Sequence, residues 1–264
     1  MGERTANASA KSSEMLEAEY TKMANVEADH WWYTSLHADI LDMIVRHFGN
    51  NRHISILDAG CGTGGFLRCL HRHGYDNCVG LDISALAVDH CRKEGLNVLQ
   101  GSIAEESVLA RAGKVDLIVS LDVICSLPGE AQRSDFFRAA SEMLNEGGLM
   151  LVQTPAFACL RGIHDLAVGV NRRYTKQDMQ TLLMQAGIVD FDLRYRLLLL
   201  TPLVFLARLL QRLRLKFGSK VVIASDTGMP PVFVNVMLFH LQRLEDRWLP
   251  FRPFGTSLQI VARK

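Results

Sequence analysis

Ile56-Leu57-Asp58-Ala59-Gly60-Cys61-Gly62-Thr63-Gly64-Gly65 decides the fold, because an apolar strand here runs into an acid and then into a glycine-rich turn. That order builds a nucleotide-binding crevice. Glycines at such a turn take positive φ and let the backbone approach a ligand closely, and the helix that follows offers its free N–H groups. The turn is a receptor made of backbone.

Gly60, Gly62 and Gly65 also satisfy the G-x-G-x-x-G dinucleotide pattern, but Asp58 stands two residues before the first of them. A carboxylate there repels a pyrophosphate unless a cation intervenes. A ligand with a cationic group suits the site better. The next strand, Cys78-Val79-Gly80-Leu81-Asp82-Ile83, ends in a second acid 24 positions after Asp58. That is close to the separation of about 20 expected of an acid that grips ribose hydroxyls.

At these residues the chain resembles the class I S-adenosylmethionine-dependent methyltransferases, whose first motif runs D-x-G-C-G-T-G and whose second strand ends in such an acid. The resemblance implies that Asp58, Gly60, Cys61, Gly62, Thr63 and Gly64 hold the methionine part of S-adenosylmethionine, with S-adenosylhomocysteine as product. Asp82 and Ile83 then meet the ribose. Ser102 stands where members often carry an aspartate on the adenine amino group, so Ser102 and Ile103 take the adenine edge; Ser102 also reads as a simple loop residue. The strand Val115–Leu121 resembles the fourth strand of the family, and Leu121 and Asp122 follow as contacts beneath the sulfonium. Asp122 reads equally as a helix N-cap. Cys125-Ser126 replaces the glutamate and histidine of many relatives, so that histidine's acid–base role is absent.

Glu27-Ala28-Asp29-His30-Trp31-Trp32-Tyr33 is unusually aromatic for a stretch ahead of a strand. It resembles the H-W-W lid helix of a bacterial branch of the superfamily, which implies that His30, Trp31 and Tyr33 cover the cofactor and substrate. Aromatic faces near a sulfonium gain about 0.5–2 kcal/mol of cation–π attraction. Ordinary helix packing, with His30 as a cap, is the alternative. Beyond the fifth strand, His164-Asp165 and Gly169-Val170-Asn171-Arg172-Arg173-Tyr174-Thr175 resemble the H-D…G-H-x-R-R-Y-T run of the same branch, with Val170 in place of the second histidine. The resemblance puts Arg172, Arg173 and Tyr174 beside the substrate. His164 is the candidate proton acceptor. Holding the loop is the competing role for these residues.

The rest of the chain frames this reading. It has 264 residues, 48% of them hydrophobic, a net charge of +1, and six cysteines without metal-like pairing. Such a chain has a substantial core, and no metal site is expected. The near-neutral charge gives no general attraction to nucleic acid, so a small molecule is the expected substrate. The free cysteines and the absence of a signal-peptide core at the N-terminus predict a cytoplasmic protein.

Residues 1–13 read as a mobile tail and 14–52 as a helical lid. A Rossmann-like core follows over 53–197, then a helical insertion over 198–254 and a last strand over 255–264. Strands are read at Ile54–Asp58, Cys78–Asp82, Asn97–Gln100, Val115–Leu121, Leu149–Thr154, Phe191–Arg196 and Ser257–Ala262. Their alternation with helical patterns predicts a mostly parallel α/β sheet with helices on both faces. The family resemblance implies seven strands, the last antiparallel.

Segment 197–217 is apolar and basic, and there is no acid between Asp192 and Asp226. It is too short to span a bilayer, and Pro202 interrupts it. An interfacial helix on an anionic membrane, a wall around a lipid-like substrate and a buried inter-subunit helix all fit it. The sequence thus points to methyl transfer onto a hydroxyl, amine or carboxylate of a small molecule, such as a hydrophobic natural product or a lipid-linked metabolite. Two alternatives remain: a membrane-associated, non-catalytic S-adenosylmethionine-binding scaffold, and an NAD-dependent oxidoreductase.

Overall fold

β1 (Ile56–Ala59) is short and buried along its whole length, which places it at the centre of a sheet. The computed structural model describes residues 17–105, 108, 111–216, 225 and 228–264. The tail expected over 1–13 lies outside the described residues, as do Phe217, Asp226 and Thr227. β1 pairs in parallel with β2 (Cys78–Asp82) on one side and β4 (Val115–Leu121) on the other. β3 (Val98–Gln100) extends the sheet beyond β2, and β5 (Leu144–Pro155) extends it beyond β4. β7 (Ser257–Arg263) runs antiparallel between β5 and β6 (Phe191–Arg196). The order is β3-β2-β1-β4-β5-β7-β6. Order reverses at β1 and β4, so a crevice opens at their carboxyl ends.

Helices cover both faces. On one, α2 (Trp31–Phe48) and α3 (Gly65–Arg72) bury Leu36, Ile40, Phe66 and Leu70. On the other, α5 (Glu130–Met143) and α7 (Lys176–Gln185) bury Phe137, Met143, Met179 and Leu183. α1 (Glu17–Val26) precedes α2, and α4 (Ala85–Lys93) joins β2 to β3. α7 begins at a capping box, in which Thr175 and Asp178 satisfy each other's backbone amides. β2, β4 and β6 occupy the residues read from the sequence. β5 starts five residues earlier, because Leu144 pairs with Val115 despite the polar Asn145-Glu146-Gly147-Gly148 stretch that follows it.

The insertion folds as α8 (Thr201–Lys216) and α9 (Val232–Trp248). Pro202 does not interrupt α8. It lies in the first helical turn, where its missing N–H has no intrahelical partner to lose. α9 packs on α2, and buried charge joins the two to the sheet edge. Arg194 of β6 holds Asp39 of α2 at 2.6 Å, and Arg196 holds Asp246 of α9 at 2.7 Å. Arg252 reaches Asp246 at 3.1 Å, while Gln259 donates to Asp39 at 2.9 Å. Asn235 of α9 also accepts from the Trp31 amide and donates to the Asp29 carbonyl, both at 2.8 Å. Lid and insertion are therefore one structure.

Removing one partner of this network strands its opposite charges in a buried site. Asp246→Ala is expected to lower the unfolding free energy by about 3–5 kcal/mol. Urea denaturation measures it: the midpoint falls while the m-value holds. A loss below about 1 kcal/mol would show the network to be well hydrated.

Candidate active site

The turn after β1 is held in shape by the end of β2. Gly60 and Cys61 donate their amides to the Leu81 carbonyl, the latter at 3.0 Å. The Asp82 carboxylate accepts the Gly62 amide and the Ser84 amide, each at 2.9 Å. Gly60, Gly62 and Gly64 have φ of 90°, 52° and 83°. At Gly60 the requirement is also steric, because a Cβ would collide with the Val123 side chain. α3 then starts at Gly65, and its first residues, Gly65 and Phe66, line the crevice.

The turn is ringed by acids. Asp58 is 2% exposed, and burial, reinforced by Asp82 and Glu27, pushes its carboxyl up to about 8. Burial also raises Asp82, against the amides of Ser84, Gly62 and Ile83, and raises Glu27, against Arg68. Arg68 pairs with Glu27. The charged neighbours acting on Asp58 are both acids, so the crevice is built for a cation. The amides of Ser84, Gly62 and Ile83 do not fill the Asp82 carboxylate, which keeps acceptor capacity for hydroxyls.

A cavity of about 1210 Å³ opens over the turn. Pockets for one drug-sized ligand occupy about 300–1,000 Å³, so there is room here for two molecules. Asp58, Gly60, Cys61, Gly62, Asp82 and Ile83 line it, followed by Ser102, Ile103, Leu121 and Asp122. Ser102 shapes its own loop, with its Oγ accepting the Ala104 amide at 3.3 Å. Thr63 and Gly64 belong to the turn but lie outside the lining. Asp122 is not a helix cap. It has a φ of 58°, its amide donates to the Gln153 carbonyl, and the 3-10 turn Ile124–Ser126 starts only after Val123. Burial pushes its carboxyl up to about 7.

His30, Trp31 and Tyr33 form the roof. His30 is at once wall and cap, since its Nδ1 accepts the Trp32 amide at 3.2 Å. Trp32 and Tyr33 meet edge to face with centroids 4.8 Å apart. Burial raises the Tyr33 phenol, and Glu27, Asp122 and Glu19 push it the same way. His164, on the short helix α6 (Ile163–Ala167), also lines the cavity.

The loop arginines divide. Arg173 borders the cavity, but its guanidinium is taken by Asp165 at 2.8 Å and by the Ala156 carbonyl at 3.0 Å. Arg172 and Tyr174 do not reach the cavity. Arg172 bonds Glu130 at 2.6 Å on the surface, and Tyr174 is buried with its hydroxyl on the Ile124 carbonyl. Of the three, only Arg173 borders the cavity, while Tyr174 is committed to the core and Arg172 to the surface.

Several lining residues were not singled out in the sequence. Glu19, Tyr20, Met23 and Glu27 of α1 and its end line the cavity, with Met23 beside Gly62 and Glu27 beside Gly65. Their signal was the four-residue spacing of 19, 23 and 27, which puts them on one helical face. His37 also lines the cavity, and burial pushes it down to about 3, so it is neutral. Among the described residues, no group of three or more His, Cys, Asp or Glu could hold a metal ion.

A family model described as a methyltransferase domain matches residues 20–213. The chain is 36% identical over 129 residues to a ubiquinone biosynthesis O-methyltransferase of Azorhizobium caulinodans, a match covering 44% of this chain and 48% of that protein. It therefore spans about half the length of that curated relative. A SAM-dependent methyltransferase from Archaeoglobus fulgidus superposes with a TM-score of 0.52 at 16% identity, covering 86% of this chain and 94% of the other. An S-adenosylmethionine-dependent methyltransferase from Clostridium acetobutylicum gives 0.54 at 14% identity, covering 88% and 91%. These two similarities establish the shared fold.

Two outcomes are expected of the cofactor end. At pH 7 the free protein keeps the Asp58 proton, and a cation bound beside it favours the carboxylate. S-adenosylmethionine should then bind with proton release, its affinity rising by up to about tenfold per pH unit until pH reaches about 8. Calorimetry in buffers of different ionisation enthalpy reads this directly; buffer-independent heats would show Asp58 already ionised. Asp82→Ala should weaken binding by about 1–3 kcal/mol, and unchanged affinity would remove Asp82 from the ribose assignment.

Proposed function

The chain belongs to the methyltransferase-domain family, and from that premise we propose that it transfers the methyl group of S-adenosylmethionine to a hydroxyl of an apolar small molecule. The observation that carries the proposal is the continuity of the cavity. One chamber joins the glycine turn and its acids to a region walled by Leu127, Phe136, Val168, Val170, Leu197 and Leu200. The acids suit a cationic cofactor and the apolar wall suits a hydrophobic acceptor. The curated relative, named for O-methylation, supports a hydroxyl as the accepting group.

The residues present fit that cofactor: a buried acid without a basic partner, a turn that a Cβ at Gly60 would block, and a carboxylate with spare acceptor sites. When bound, S-adenosylmethionine supplies an already activated methyl group. What remains for the protein is alignment and exclusion of water, and orientation alone gives effective molarities of about 10⁵–10⁸ M. Asp58 and the turn hold the methionine end, Asp82 the ribose, and Ser102 with Ile103 the adenine edge. Trp31 and Tyr33 close the chamber from the lid. His164 accepts the proton that a hydroxyl must lose, whereas an amine would attack in its neutral form.

His164→Ala should reduce turnover by about 10²–10⁴-fold and leave S-adenosylmethionine affinity unchanged. The test is calorimetry with S-adenosylmethionine, S-adenosylhomocysteine and NAD in parallel, then turnover against hydroxylated acceptors of increasing hydrophobicity. Binding of NAD alone would overturn the reading, and cofactor binding without turnover on any acceptor would favour a non-catalytic scaffold. Full activity of the variant would leave His164 as a structural residue.

A further inference from the structure

α8 carries its apolar residues on the outside. Leu203, Leu206, Leu209, Leu210 and Leu213 recur at three- and four-residue spacing with Phe205 beside them, and all six are 42–66% exposed. The opposite face holds the helix to the protein, where Gln211 accepts the Ile163 amide at 3.3 Å and Val204 and Arg208 line the cavity. At 100° per residue, Arg212 falls on one border of the leucine stripe and Arg214 on the other, and both are exposed. Arg212 is steadied there by the Cys159 carbonyl at 2.6 Å. No acid occurs between Asp192 and Asp226.

We infer that α8 lies in the plane of an anionic lipid surface, with its leucines at the acyl boundary and Arg212 and Arg214 among the headgroups. An apolar stripe bordered by cations on both sides is the pattern of an interfacial helix. Charge decides against a second copy of the chain as the cover. A two-fold contact through α8 would face arginines with arginines, and the helix has no acid to pair with them. Spanning is excluded for this element, because among the described residues no helix is long and apolar enough to cross a membrane.

Leu203 belongs to both surfaces: it is exposed on the stripe and it lines the cavity. The apolar wall of the chamber therefore continues onto the docking face. An acceptor dissolved in the bilayer would reach the chamber without crossing water. That purpose rests on the apolar acceptor proposed above, whereas the docking itself rests on α8.

Sedimentation of the full chain with vesicles tests the inference without any variant. Binding is expected to phosphatidylcholine vesicles containing phosphatidylglycerol, with weaker binding to pure phosphatidylcholine and release in about 1 M salt, where the Debye length is about 3 Å. Arg214→Gln should lower partitioning by roughly fivefold, the value of one basic residue near such a surface. Leu206→Glu/Leu210→Glu should abolish it while S-adenosylmethionine binding is retained. Equal binding to neutral and anionic vesicles, or none to either, overturns the inference. So does a dimeric wild type that the Leu206→Glu/Leu210→Glu variant turns into a monomer. Failure on vesicles with cofactor binding and turnover intact leaves the methyl-transfer reading standing, and loss of cofactor binding in the wild type sinks that reading alone.

Discussion

The Asp82 carboxylate is the joint on which the active-site geometry depends. By accepting the amides of Gly62 and Ser84 it ties the turn after β1 to the end of β2 and to the start of α4. Three separate segments thus share one charged group. A carboxylate held by several amide donors is fixed in direction, so its remaining lone pairs point at a defined place. Gly60 adds a second constraint through its contact with Val123, which locks the turn against the end of β4. The floor of the chamber is thus tied to the ends of both flanking strands.

The roof is joined to that floor by a different kind of bond. Asp39, Arg194, Arg196, Asp246, Glu245 and Arg252 come from the lid helix, the sheet edge, the insertion and the approach to β7, and these three arginines and three acids balance one another largely out of water. A buried network of this kind contributes less to net stability than to specifying a single arrangement, since any other docking of the lid would leave a charge unpaired. α1 extends the same logic to the cofactor end, with Glu27 on Arg68 and Lys22 on Ser225 at 2.7 Å. The lid is therefore positioned by ion pairs at both ends, and its aromatic residues are presented to the cavity between them.

What was legible in the sequence was local. The glycine turn, the acids that end β1 and β2, and the strand residues of β2, β4 and β6 all follow from patterns within ten residues. What was hidden depended on distant partners. Nothing local to Arg194 and Arg196 marks them, because their partners Asp39 and Asp246 are remote in the chain. Arg172, Arg173 and Tyr174 form one motif, yet Glu130, Asp165 and the Ile124 carbonyl draw them to three different places, and only Arg173 reaches the cavity border. Pro202 interrupts the apolar run in the sequence but not the helix, because its place relative to the helix start depends on where Leu197–Leu200 turn, and Leu197 there takes a φ of 65°. The cavity face of α1 lay in a spacing that has meaning only once the turn beneath it is known.

The acids beneath the lid also make the free protein pay for its function. In the unfolded chain Asp58 loses its proton near pH 3.8, but in the folded protein it holds it to about pH 8. Over that window the native state binds more protons than the unfolded one, so native stability falls as pH rises. Above about 8 the carboxylate is ionised in both states and the penalty is complete. A cation seated beside Asp58 removes that penalty, because it supplies the counter-charge that neither Asp82 nor Glu27 can give. The stabilisation that S-adenosylmethionine confers should therefore grow from pH 6 to pH 8, as a larger rise in Tm at fixed ligand excess. A ligand-induced shift that is flat with pH would mean that the Asp58 carboxyl meets water in the free protein and that its neighbours do not govern it.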